Sequence, residues 1–341
     1  MAVQESRFPR PATTQLPGVQ PLLRFATGAA ALLSFGLIFL MLVFLFVYAY
    51  PAIRFNGLGF FTSLIWNIGN QYGGGTIVRN GFAAQSGASF GAIVFIAGTV
   101  LSSFLAMLIA VPLSLLVAVA IVYRVPSFLK PLTNAVVELM AGVPSVIYGL
   151  WGMVVLVPAI GSGLAPFITT HFGFIPFLGG AQGSGNGLLA ATIILAIMVV
   201  PIMVATTRDV VQAQSSTIYE ASMALGSTSW QAVTRAVLPS VRTGIAGSVL
   251  LAFGRALGET MAVLMVCGAA INTLPQNIFA PINTIAAVIV SQLESALTDA
   301  SGMAQRSLGE LALTLFLITL IVNAVARVVL RGGGGKSGAI G

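Results

Sequence analysis

Two charged residues stand inside an otherwise apolar run. The stretch Gly254-Arg255-Ala256-Leu257-Gly258-Glu259-Thr260 lies within residues 244–270, which hold no other charge. Four residues apart on a helix, Arg255 and Glu259 share a face and can pair. Each charge costs about 2.5–3.5 kcal/mol at the centre of a membrane-inserted helix, a cost tolerated for a function or for an interface. One reading is a structural pair that locks this segment to a neighbour. In the other, the planar guanidinium fork meets the oxygens of a passing oxyanion. Glu259 then holds Arg255 while the site is empty and keeps anion binding weak enough for release. Glu138, about two turns into another apolar segment, divides in the same way. It is either a structural partner of Arg124 or Arg242, or a gating element beside Gly142 and Pro144.

Covalent chemistry is hard to assemble from the rest. With one His (His171) and one Cys (Cys267), the chain offers no metal cluster, no internal disulfide and no nucleophile–base pair. The run Arg331-Gly332-Gly333-Gly334-Gly335-Lys336-Ser337 resembles a phosphate-binding loop only on the surface. That motif needs Gly six residues before the Lys, where Leu330 stands, with a strand before it and a helix after. No cofactor and no nucleotide site are therefore expected in this chain. If ATP drives it, the ATP and its Mg are bound by a partner.

A second stretch goes beyond what membrane insertion requires. Between Arg208 and Arg242 lies Glu220-Ala221-Ser222-Met223-Ala224-Leu225-Gly226, then nine residues, then Ala236-Val237-Leu238-Pro239. The first part favours a short helix, Gly226 stops it, and Ser229-Trp230-Gln231 can start another. Such a helix suits docking of a soluble partner or serves as a plain amphipathic connector.

The elements that position these residues follow from composition. Apolar residues make up 57% and charged ones 7%, against roughly a quarter charged in globular proteins. The pattern is one of long uncharged runs and not of ten-residue alternation, which excludes a β-barrel. The 15 Lys and Arg are scattered, without a basic groove, so no nucleic acid is expected. The expected fold is an all-α polytopic protein in the lipid bilayer with six transmembrane helices. They are placed at about 26–50, 90–123, 132–160, 187–207, 244–270 and 311–330. Residues 208–242 form the loop between the fourth and fifth spans, and residues 1–25 and 331–341 are tails, the first disordered. No cleavable signal is expected. Pro112 is the expected break in the second span, and the third should be irregular near Gly142 and Pro144. Thr284 to Leu293 is too short to span, so it reads as an interfacial or re-entrant helix. Glu310 and Arg327 read as interfacial anchors at the ends of the sixth span. With both termini cytoplasmic, eleven Lys and Arg fall inside, against Arg54, Arg79 and Arg306 outside.

Glu220-Ala221-Ser222, Gly226 and Leu238-Pro239 resemble the EAA loop of ABC-importer permeases, with Ser222 in place of the second Ala and Ala236 in place of an Ile. The segments 138–151 (ELMAGVPSVIYGLW) and 254–263 (GRALGETMAV) resemble the phosphate-specific permeases of PstC type. The resemblance covers about residues 27–330. It implies an ABC-importer permease fold with a cytoplasmic coupling helix in the bacterial inner membrane. It also implies a PstA-like permease, two PstB-like ATPase subunits and a PstS-like phosphate-binding protein as partners. Glu220, Ala221, Ser222, Gly226, Leu238 and Pro239 would then couple to the ATPase. Arg255 and Glu259 would lie on the phosphate route. A permease for sulfate or molybdate is the alternative, because nothing physical in Arg255 separates these anions. A stand-alone secondary anion transporter often shows two related halves, and no convincing repeat links residues 27–160 with 187–330.

Overall fold

The computed structural model describes residues 19–70, 73–180, 183–214 and 216–334. Most of the 1–25 and 331–341 tails, including Lys336 and Ser337, therefore lies outside the described residues. The chain divides into two units, one ending at Val47 and the other running from Tyr48 onward. Helix α1, Val19–Asn56, crosses that boundary and begins seven residues before the expected span. In the first unit it presents exposed apolar side chains such as Phe35, Phe39 and Leu40, a surface that hydrocarbon can cover.

In the second unit, α2 (Ile93–Tyr123) and α5 (Leu188–Gln212) form the central pair. Their sequences explain why. Gly98, Ser102, Ala106, Ala110, Ser114 and Ala118 recur every fourth residue on α2, and all are buried. Ala191, Leu195, Val199, Met203, Thr207 and Val211 do the same on α5. A row of small residues lets two backbones approach closely, which is how helices associate where lipid removes the hydrophobic drive. The Ser114 hydroxyl donates across the seam to the Val200 carbonyl at 3.3 Å. Pro112 does not break α2, which continues unbroken through it. A proline is tolerated in a packed membrane helix because neighbouring groups satisfy the freed carbonyl.

The expected third span is two helices. Val143 and Pro144 are extended, and they separate α3 (Lys130–Gly142) from α4 (Ser145–Phe172). Proline forces the residue before it out of the helical region. The Tyr148 hydroxyl closes the gap by donating to the Met140 carbonyl at 2.9 Å. The long apolar helix is α4, beginning 13 residues later than the sequence suggests.

At one end of this unit, called here the loop end, α6 (Ser216–Ala224) and α7 (Ser229–Ser240) precede α8 (Arg242–Leu257), which meets α7 at a 74° bend. A broken turn at 258–260 leads to α9 (Met261–Val266). The opposite, hairpin end holds β1 (Trp66–Asn67) paired with β4 (Ser89–Phe90), and β2 (Thr76–Arg79) paired with β3 (Phe82–Gln85). Asn80 and Gly81 both take positive φ, at 51° and 84°, as a two-residue hairpin turn demands. Trp66 packs edge-on against Phe90 and Phe95. The short apolar stretch becomes α10 (Ile285–Leu297), capped by the Thr284 hydroxyl. It lies on α11 (Met303–Gly334) and against α2.

Helix α11 starts eight residues before the expected sixth span, because Asp299 accepts from the Ala304 amide at 2.9 Å and caps it. Glu310 therefore falls inside the helix. It is buried and accepts from the Asn56 amide at 2.8 Å, so it is no interfacial anchor.

A close backbone approach joins α2 to the turn before α10. A side chain at Gly98 would overlap the Asn283 carbonyl oxygen. Gly98→Val should therefore lower thermal stability of the solubilised protein by about 1–3 kcal/mol through overpacking. Gly74→Ala, with no neighbour within 4 Å, should melt as the parent does. Identical melting of the two variants would contradict this packing.

Candidate functional site

The loop 208–242 folds into a stiff corner. In α6 the chain reaches Gly226, whose φ of +85° is open to glycine at little cost. The Gly226 amide donates to the Met223 carbonyl at 3.0 Å and the Ser227 amide to the Ser222 carbonyl at 3.3 Å. These two bonds are the Schellman termination of a helix. One residue later a capping box starts α7. The Gln231 amide donates to the Thr228 hydroxyl, and the Thr228 amide donates to the Gln231 side chain. Two helix ends are thus satisfied within five residues, and the corner has little freedom left.

The corner is anchored on one side and bare on the other. Tyr219 stacks on Tyr123 at 4.8 Å between ring centroids and shares a 3.0 Å hydrogen bond with Ser229. Val211, Val237 and Val241 close a small core beneath it. Outward it presents Glu220, Ala221, Met223, Leu225 and Trp230, with Leu225 89% exposed. Ser222 and Leu238 are half-buried and Pro239 is exposed.

The broken turn corrects the expected ion pair. Helix α8 ends at Leu257, and Gly258 and Glu259 lie outside it. The four-residue rule holds only along an unbroken helix, so it no longer places Arg255 and Glu259 on one face. Among the described residues neither forms an ion pair. The Glu259 carboxylate is buried and accepts from the Ala262 amide at 3.3 Å, ahead of α9. Arg255 is exposed. It lines a cavity of about 580 Å³ with Leu250, Gly254, Thr319 and Asn323.

Glu138 also has a different partner. The Arg208 Nη2 donates to its Oε1 at 3.4 Å. Arg208 is the residue that sequence reasoning missed, having counted it only as a loop charge. It is buried, and its Nε and Nη2 also donate to Asp209 Oδ1 at 3.0 and 2.9 Å. The adjacent Arg208-Asp209 pair at the end of an apolar run was the available signal. Asn323 was missed as well; it follows Thr319 by four residues in an apolar helix, so both lie on one face.

A family model described as a binding-protein-dependent transport system inner membrane component matches residues 110–332. The chain is 45% identical over 314 residues to the phosphate transport system permease protein PstC 1 of Mycobacterium tuberculosis, covering 91% of this chain and 93% of that protein. It is 38% identical over 316 residues to the phosphate transport system permease protein PstC of Mesorhizobium japonicum, covering 92% and 90%. A chain from inward-facing structures of the MetNI methionine ABC transporter aligns over 71% of this chain and 93% of its own length, with a TM-score of 0.48 and 18% identity. This chain belongs to the inner membrane components of binding-protein-dependent transport systems, and within them to the PstC permeases.

Proposed function

We propose that the chain is the membrane subunit through which an ATP-driven importer moves inorganic phosphate across the bacterial inner membrane. The observation that carries this reading is the 45% identity to a PstC protein over nearly the full length of both chains. The exposed Arg255, set beside a break in an apolar span and without a carboxylate partner among the described residues, supports it. A guanidinium in that position offers its donor fork to an oxyanion. Substrate contact is transient and breaks no covalent bond.

In this reading the loop end faces the cytoplasm, as do both termini, and the hairpin end faces out. The corner at Gly226 is the docking knob for one of two PstB-like ATPase subunits, which bind the ATP and Mg. Leu225, Met223 and Trp230 supply its apolar contact, and Glu220 its charge. Ser222, Leu238 and Pro239 shape the helices behind them. A PstA-like permease completes the channel, and a PstS-like binding protein delivers phosphate from outside. Arg255 meets the anion, Glu259 keeps the broken turn in shape, and Glu138 with Arg208 ties α3 to α5 near the loop end.

Three outcomes test this. Glu220→Arg should abolish uptake of labelled phosphate while the protein still reaches the membrane in normal amount; normal uptake would refute the docking role. Arg255→Gln should slow uptake by about tenfold or more, the loss expected for hydrogen bonds to a charged group. Excess sulfate should not compete with phosphate in the parent cells, and competition by sulfate would move the substrate assignment.

A further inference from the structure

Three cavities lie in series along the groove between α8 and α11. The one nearest the loop end, about 400 Å³, is lined by Leu238, Arg242, Val249, Leu250 and Ala326 among others. The middle one shares Leu250 with it and is the Arg255 cavity. The third, about 450 Å³, shares Gly254 and Thr319 with the middle one and extends to Gly258 and Thr260. Only the middle cavity joins a guanidinium to an amide.

That amide is Asn323, which forms no hydrogen bond or ion pair with the described residues and is half-exposed into the cavity. An amide in an apolar span that bonds to nothing is unfavourable unless water or a ligand completes it. Its neighbour Thr319 has committed its proton, donating to the Leu315 carbonyl in the same helix. A Thr319 oxygen so used presents lone pairs only. The wall opposite Arg255 therefore offers one amide that both donates and accepts, and one acceptor. Phosphate near neutral pH carries unprotonated oxygens and at least one acidic hydroxyl. A guanidinium alone answers the oxygens and leaves the hydroxyl proton without an acceptor.

Resting on the phosphate reading above, we infer that Asn323 is a positioning residue for the passing anion, its NH₂ donating to an unprotonated oxygen and its carbonyl, with Thr319, accepting the acidic proton. It orients the anion that Arg255 attracts. The test is uptake of labelled inorganic phosphate in cells whose own copy is replaced by Asn323→Ser, Asn323→Leu, Asn323→Asp or Arg255→Gln, with membrane content of each variant measured.

Asp is nearly the same size as Asn but adds a charge that is costly within a span, so uptake is compared per protein inserted. A packing role would lower the inserted amount of Asn323→Leu and Asn323→Asp and leave uptake per inserted protein unchanged; the positioning role lowers uptake per inserted protein. Maximal uptake should fall by about tenfold or more in Asn323→Asp, as a hydrogen bond to a charge is replaced by repulsion of the anion. It should fall less in Asn323→Leu and least in Asn323→Ser, with half-saturation unchanged throughout. Asn323→Asp matching the parent, or all three variants failing alike, overturns the inference. If Arg255→Gln takes up phosphate normally, the Arg255 reading itself falls; if it fails while every Asn323 variant works, only the role of Asn323 falls.

Discussion

Hydrocarbon offers no hydrogen-bond partner, so every backbone amide and carbonyl at membrane depth must find one within the protein. Most of this structure follows from that constraint. Helices α2 and α5 satisfy it by remaining helical from end to end, and they pack along two rows of residues spaced by four. Where a helix fails, a side chain substitutes. The Tyr148 hydroxyl takes the Met140 carbonyl across the gap at Val143 and Pro144, and the Glu259 carboxylate takes the Ala262 amide beyond Gly258. At both of these breaks a polar side chain stands ready.

Two arginines illustrate how environment divides one residue type. Arg208 is buried, with Glu138 and Asp209 against its guanidinium. Its charge is neutralised, and it serves to tie helices. Arg255 is exposed on a cavity and makes no ion pair among the described residues. Its charge remains available to an anion. Desolvation decides the difference: a buried guanidinium needs its counter-charges in the fold, whereas one exposed on a cavity can wait for them.

The sequence made the apolar runs, the Gly226 stop and the start of α7 legible, because hydrophobic length, glycine at a helix end and capping residues act locally. It misled where a rule presupposed an unbroken helix. The Arg255–Glu259 pairing failed because α8 ends at Leu257, between them, and the proline rule failed because α2 continues through Pro112. The partner of Glu138 was out of reach for another reason: Arg208 lies 70 residues away in sequence, and only tertiary packing brings α3 to α5. The hairpin at Asn80-Gly81 is readable from its turn residues, which favour the positive φ that both adopt.

The 74° elbow between α7 and α8 has a mechanical consequence. Arg242 at its base and Arg255 near the tip of α8 are separated by about 20 Å of helix at 1.5 Å per residue. With both helix ends at the Gly226 corner held by hydrogen bonds, a push along α7 would act on α8 as on a crank. A rotation of about 10° would carry the Arg255 end through about 3.5 Å, more than the length of a hydrogen bond. A small stroke at the surface can therefore make or release a contact deep in the span without unfolding anything between them.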